Sequence, residues 1–287
     1  MTRIPGALRT CWIVLLAVLA SAAASRQAAE PARLRVLTYN IQHGEGTDGR
    51  IDLARTAAVI ARAAPDVVAL QEVDNQTTRA HGVDQAAELG RLTGMHAAFG
   101  QAMAYAGGGY GDAILSRFPL SAVRVHDLPT APGAEPRCAI AARVQAGGEG
   151  RAFVFVSTHL EHAQAPIRLL QAQALTSALA PLGDVTTILS GDFNDVPGGP
   201  AIAALRPHWA DASAGQPDPT SPSSHPRRKI DYVFFRPSGA WRVVESRVID
   251  EPVASDHRPL LVVLEAAPPP ASEHACGTGA SREPSRS

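Results

Sequence analysis

The chain has 287 residues, of which 18% are charged, and its 26 basic and 27 acidic side chains leave a formal net charge of -1 at pH 7. That balance excludes the broad basic field by which a protein coats long nucleic-acid tracts. The length allows one large α/β or β-rich domain once the terminal segments are set aside, and three cysteines are too few for a disulfide framework.

At the amino terminus, residues 2–10 carry Arg3 and Arg9 and lead into an apolar run over 11–20. Small residues fill 21–25, with Ala22 and Ala24 in an A-x-A pattern that predicts cleavage after Ala24. The apolar run is about half the length of a spanning helix, which favours an export signal (1–24) over a membrane anchor. No cysteine follows it to carry a lipid, so a secreted or periplasmic protein is expected. Cys11 leaves with the signal, and Cys138 and Cys276 sit in contexts too unlike to predict a pair. Residues 25–33 read as a linker, 34–265 as the folded domain, and 266–287 as a disordered tail rich in Pro, Ala and Ser. The chain contains no internal repeat and no later segment able to span a bilayer, and a monomer is expected.

Within the domain, apolar runs suited to strands alternate with helical patterns, as an α/β or layered sandwich requires. A strand is predicted over 34–39. Apolar residues at 51, 53, 57, 60 and 61 predict a helix over 51–64, ended by Pro65-Asp66 ahead of a strand over 67–70. A second helix is predicted over 83–92, strands over 110–115, 139–144 and 152–157, and an amphipathic helix over 165–182 opened by Pro166. Strands over 186–189, 230–235, 241–248 and 260–264 complete the order, with a Pro- and Ser-rich loop before 230.

Polar residues cluster where these strands end, a placement that aims side chains into a cleft. They are Asn40, Gln71-Glu72, His159 and Gly191-Asp192-Phe193-Asn194, joined by Asp231 and by Ser255-Asp256-His257. Singly, each has a plainer reading: Asn40 and Asn194 as turn residues, Asp192 as a turn or helix cap, His159 as a satisfied histidine, Asp256 as a turn cap. Loop capping alone would rarely place ligand or proton-transfer groups at so many separate strand ends. Carboxylates and amides without cysteine suit Mg²⁺, with Mn²⁺ or Ca²⁺ as alternatives, better than zinc. A metal of that kind stabilises phosphoryl oxygens, leaving proton transfer to histidine and carboxylate.

Seven stretches then carry a family resemblance: LTYNIQHG at 37–44, DVVALQEVD at 66–74, GDAILSRFPL at 111–120, VSTHLEH at 156–162, LSGDFNDVPG at 189–198, KIDYVFF at 229–235 and SDHRPLLVVL at 255–264. In content and order the chain resembles the endonuclease/exonuclease/phosphatase superfamily, which includes deoxyribonuclease I, abasic-site endonucleases, sphingomyelinases and inositol-phosphate 5-phosphatases. The resemblance implies a four-layer α/β/β/α sandwich, two packed mixed β-sheets flanked by helices, with the site at one edge between the sheets. It implies Glu72, Asn40 and Asp256 as metal ligands. Asp192 and Asn194 match the pair that orients the attacking water and a phosphate oxygen, so Asn194 and Asn40 also contact substrate. His257, Asp231 and His159 match the groups that bind the scissile phosphate and share proton transfer. The implied mechanism is in-line attack by a water activated by Asp192 with His257 and Asp231. At Asp112 many members carry Asn or Thr.

Three local features stay open between readings. The glycines of 107–111 either let backbone approach a phosphate or form a turn. Arg137, in Glu135-Pro136-Arg137, reaches a substrate phosphate or lies on the surface. Pro226, Arg227, Arg228 and Lys229 precede Asp231 as a basic patch beside the site or as a solvated loop. The expected function is hydrolysis of small or lipid-linked phosphate esters by an exported phosphodiesterase or phosphatase. The alternatives are an extracellular nuclease, which calls for a basic stripe beyond Arg227–Lys229, and a catalytically silent binding module, which would have lost part of this residue set. A lipid-directed enzyme calls for an exposed aromatic hairpin, and the sequence shows none.

Overall fold

Residues 33–146 and 152–267 are described by the computed structural model. The residues read as an export signal (1–24) and most of those read as linker and tail, Cys276 included, lie outside the described residues. The described residues form twelve strands: β1 Arg33–Asn40, β2 Val67–Asn75, β3 His96–Tyr105, β4 Gly108–Ser116, β5 Leu120–Asp127, β6 Cys138–Gln145, β7 Ala152–His159, β8 Thr187–Asp192, β9 Ala210–Asp211, β10 Asp231–Arg236, β11 Trp241–Val248 and β12 Leu260–Ala266. They build two six-stranded sheets, ordered β11-β12-β1-β2-β4-β3 and β5-β6-β7-β8-β10-β9. At the centre of each lies a parallel pair, β1 with β2 and β7 with β8, flanked by antiparallel neighbours.

Alternation along each strand sorts side chains into three apolar layers. Leu34 and Val36 of β1, Val67 and Ala69 of β2, Phe153 and Phe155 of β7, Ile188 of β8 and Val233 of β10 join one buried cluster between the sheets. Their neighbours of opposite parity, among them Leu37, Tyr39, Val68 and Leu70, pack beneath α1 Leu53–Ala63 and α2 Gln85–Thr93 through Val59, Ile60 and Leu89. Val156, Leu189, Tyr232 and Phe234 do the same beneath α3 Ala165–Leu179 and α4 Pro200–Leu205. The result is the α/β/β/α sandwich that the resemblance implies, the fold of deoxyribonuclease I. Asp52 and Asp84 cap the first two helices by accepting from Arg55 N and Ala87 N.

Several boundaries move. Strand β2 runs on to Asn75, past 70, because a bulge between Leu70 and Val73 absorbs Gln71 and Glu72 inside the strand. The helix over 165–182 stops at Leu179 and tightens into a 3-10 turn over Ala180–Leu182. Strands β3, β5 and β9 and helix α4 are additions to the predicted elements. Among the described residues no helix is long and apolar enough to cross a membrane.

Candidate active site

The parity that builds the core also builds the site. Continuing from the inter-sheet residues, Thr38 and Asn40 follow Val36, Ser157 and His159 follow Phe155, Ser190 and Asp192 follow Ile188, and Asp231 precedes Val233. Each strand therefore turns from apolar to polar on its inward face as it nears one edge of the sandwich. A first polar layer closes the core: Thr38 donates its hydroxyl to Gln71 Oε1 at 3.3 Å, Gln71 donates to Ser157 Oγ at 3.1 Å, and Ser157 donates to the Leu70 carbonyl at 3.1 Å. Gln71 is thereby a bridge between the sheets rather than a group of the cleft.

Above that layer lies a cavity of about 370 Å³, into which Glu72, His159, Asp192, Asn194, Asp256 and His257 all open. Glu72 reaches it because the bulge holds its backbone in the left-handed region, at φ 58°. A non-glycine residue there is strained, a cost commonly met at functional positions. Asn194, at φ 50° just past β8, is held likewise. Asn40 donates its amide to Glu72 Oε1 at 2.9 Å and to Asp192 Oδ2 at 3.2 Å, and its oxygen accepts from Gln42 N at 3.1 Å. It ties the two carboxylates together across the gap between sheets.

Asp192, Asp231 and His257 place ligand-type atoms within 4.8 Å of one another. His257 Nδ1 and Asp231 Oδ2 are 2.9 Å apart, and His257 Nε2 lies 3.7 Å from Asp192 Oδ2. Burial pushes Asp192 up to about 7, Asp231 adding to the rise while His257 opposes it. For His257 burial acts downward, and the carboxylates of Asp231 and Asp192 override it, lifting the imidazolium to about 10. The loop carrying His257 is fastened by Ser255, whose hydroxyl donates to the Asn40 carbonyl at 2.7 Å and accepts from His257 N at 3.2 Å.

His159 is set differently. Burial, then the adjacent Arg137 charge, holds it well below the usual histidine range. Arg137 can only donate, so Nδ1 of His159, 2.8 Å from the guanidinium, is the acceptor and the ring proton sits on Nε2. Nε2 faces Asp192 Oδ2 at 3.4 Å. Asn194 Nδ2 also approaches Nε2, at 2.9 Å, but its acceptor is the Leu160 carbonyl at 3.0 Å. Asn194 N donates to Asp192 Oδ1 at 2.8 Å, fixing that carboxylate.

The open features now resolve. Arg137 is 4% exposed, lines the cavity, and already pairs with Glu135 at 2.9 Å as well as His159. The glycines belong to the β3–β4 hairpin: Gly107 takes φ 81°, and a Cβ at Gly108 would strike the Asn75 carbonyl. The basic patch is corrected. Lys229 turns inward to the carbonyls of Ser213 and Gln216, leaving Arg228 at the cavity. Asp112 is buried beneath the site, where burial outweighs the pull of Arg137 and lifts its carboxyl well above the usual range; Cys138 donates its thiol to it at 3.7 Å. Sequence reading missed Arg79, Met103 and Tyr105, which form one wall of the cavity. Tyr105 is an exposed aromatic on a hairpin, the feature the sequence was read as lacking.

Two stacked mixed sheets with a carboxylate and histidine cluster at their shared edge define a hydrolase of the deoxyribonuclease I-like class. The family model for endonucleases, exonucleases and phosphatases matches residues 37–257, and the chain belongs to this endonuclease/exonuclease/phosphatase family. An endonuclease/exonuclease/phosphatase from Beutenbergia cavernae is 29% identical, with a TM-score of 0.70 over 82% of this chain and 72% of its own. A mannosyl-6-phosphatase of Bacteroides thetaiotaomicron is 19% identical (TM-score 0.65, covering 80% of this chain and 99% of that one). ANGEL2, a 2′,3′-cyclic phosphatase, is 16% identical (TM-score 0.66, covering 83% and 97%). These last two share the fold. No curated protein matches the chain.

Proposed function

We propose that this protein is an exported, divalent-metal-dependent hydrolase of phosphate esters, a phosphodiesterase or phosphatase acting on small or lipid-linked substrates. The observation that carries the reading is the Asp192–His257–Asp231 cluster, whose Asp192 and His257 open on one cavity with Glu72 and Asp256. Its volume suits a small molecule. The basic and small-residue pattern of 1–25 supports export.

The residues fit a hard cation. Four carboxylates (Glu72, Asp192, Asp231, Asp256) converge, and the buried Asp231 Oδ1 has no hydrogen-bond partner. Asp192 and Asp231 are buried and Glu72 and Asp256 half-buried, and the single imidazolium of His257 does not offset all four, which calls for a further cation. Glu72, Asp256 and Asn40 would hold Mg²⁺, or Mn²⁺ or Ca²⁺, which supplies charge stabilisation to the phosphoryl oxygens. The chain does the rest. Asp192, shifted towards neutrality, accepts a proton from the attacking water; a base poised near the working pH suits that step. His257, held in register by Asp231, keeps the opposite charge beside the phosphate. Asn194 fixes Asp192, and His159, kept neutral by Arg137, presents its Nε2–H as a hydrogen-bond donor.

The test is a chelator-controlled panel with Mg²⁺, Mn²⁺ or Ca²⁺ added back, covering bis-p-nitrophenyl phosphate, p-nitrophenyl phosphate, sphingomyelin and plasmid DNA. Metal-dependent turnover of the esters is expected, falling by at least about a thousandfold in His257→Ala and Asp192→Ala with melting preserved. Turnover unaffected by chelator overturns the metal requirement, and cleavage confined to plasmid makes the protein a nuclease.

A further inference from the structure

The wall formed by Arg79, Met103 and Tyr105 has a chemistry the catalytic residues do not explain. Tyr105 closes β3 and is 39% exposed, yet its ring is not loose. The guanidinium of Arg79 lies 4.5 Å from its ring centroid. That guanidinium is pinned by two hydrogen bonds, at 2.7 and 2.9 Å, to Asp74, a fully buried carboxylate that also accepts from the Thr77 hydroxyl at 2.6 Å. Tyr110, its ring centroid 6.1 Å from that of Tyr105 and 5.6 Å from the same guanidinium, packs against both, and Tyr105, Tyr110, Arg79 and Met103 open on the same cavity as Asp192 and His257.

Because Asp74 already neutralises Arg79, the wall does not offer a free cation to a second phosphate. It offers a ring face on a rigid backing, which costs little conformational entropy to engage, and an adaptable thioether beside it. A membrane-seeking hairpin would present several apolar side chains outward; here one aromatic lines a cavity. We infer that Arg79, Tyr105 and Met103 form a subsite that stacks a planar π-faced group, a nucleobase, carried by the substrate whose phosphate is cleaved. This rests on the phosphoesterase reading above.

Matched substrates test it. Adenosine 5′-monophosphate and ribose 5-phosphate share the scissile bond and differ in the base, and their methyl esters give the corresponding diesters. For whichever pair is turned over, kcat/KM is expected to favour the adenosine member by roughly ten- to a hundredfold, the span that one stacked base supplies. Tyr105→Ala should bring the ratio close to one, while Tyr105→Phe, which keeps the ring face, should retain it. Equilibrium binding of the same compounds to His257→Ala protein reads the subsite without catalysis. Tyr105-dependent preference for the adenosine compound in binding, with no ester cleaved, upholds the subsite and sinks the catalytic reading. Cleavage with a ratio near one in wild type, unchanged by Tyr105→Ala, sinks the subsite alone. Equal binding of both compounds overturns it as well.

Discussion

Two histidines share this site with opposite electrostatic assignments: burial lowers both, the guanidinium at Nδ1 of His159 lowers it further, and the carboxylates of Asp231 and Asp192 override burial at His257. His159 meets a guanidinium and stays neutral; His257 meets the Asp231 carboxylate and is held as a cation up to about pH 10, against an ordinary value of 6.5. A base whose folded value is raised keeps a proton that the unfolded chain releases. Its stabilisation is therefore complete below about pH 6.5 and is lost as pH rises towards 10, at up to about 1.4 kcal/mol per unit. Asp192 rises only to about 7, so its own titration is largely over above that. The buried Cys138 thiol, raised by burial and by Asp112 from an ordinary value of 9, begins to add slope only above that value. Between pH 7 and 9 in the presence of chelator, thermal melting should therefore fall with pH in wild type and fall less steeply in His257→Asn. Equal slopes would show that His257 is neutral in the metal-free protein.

The elements show why some of this was readable from sequence and some was not. Central strands β1, β2, β7 and β8 are buried on both faces and read as apolar runs, so the polar residues ending them stood out. Edge strands carry no such signal. Strand β5 is exposed along most of its length, and β3, rich in Ala and Gly, mixes exposed and half-buried positions without clean alternation. Missing β3 hid Met103 and Tyr105, whose relevance depends on a hairpin folding back over the cleft. Strand propensity gave no warning of the bulge that presents Glu72, a backbone event in an unremarkable apolar run. Arg79 was equally hidden, since its position comes from Asp74 across a loop. Gly191 is a different case, where a motif residue has a purely steric reason. It pairs with Thr158 across the parallel β7–β8 ladder, and a Cβ there would collide with the Thr158 carbonyl. Gly191→Ala should cost about 1–3 kcal/mol by overpacking, read as a lowered urea midpoint. It should also depress ester turnover by displacing Asp192. A variant as stable and active as wild type would mean that β7 and β8 have more room than the fold shows.

At the scale of the molecule, the two sheets repeat one arrangement: an antiparallel strand, a parallel pair, an antiparallel strand. Stacking them brings the carboxyl ends of β1 and β7 beside those of β2 and β8 at a shared edge, the place where parallel strands usually present ligand sites. Core packing thus converges the carboxylates, and their mutual repulsion is a cost that the apolar layers below must offset. A bound cation removes that cost, so metal binding and folding stability should be linked. A ligand that binds only the folded chain stabilises it by about 2.7 kcal/mol when present at a hundred times its Kd. For a domain of this size that corresponds to a rise in Tm of roughly 5–10 °C. Mg²⁺ or Mn²⁺ added to chelator-stripped protein should produce such a rise in wild type. It should shrink in Glu72→Gln and Asp256→Asn, whose carboxylates face the cavity, and persist in Glu245→Gln, whose carboxylate pairs with Arg247 on exposed β11. A rise of equal size in all four proteins would place the cation elsewhere, and no rise with Mg²⁺, Mn²⁺ or Ca²⁺ would mean that the carboxylate cluster is neutralised by protons, with Asp192 as their first holder.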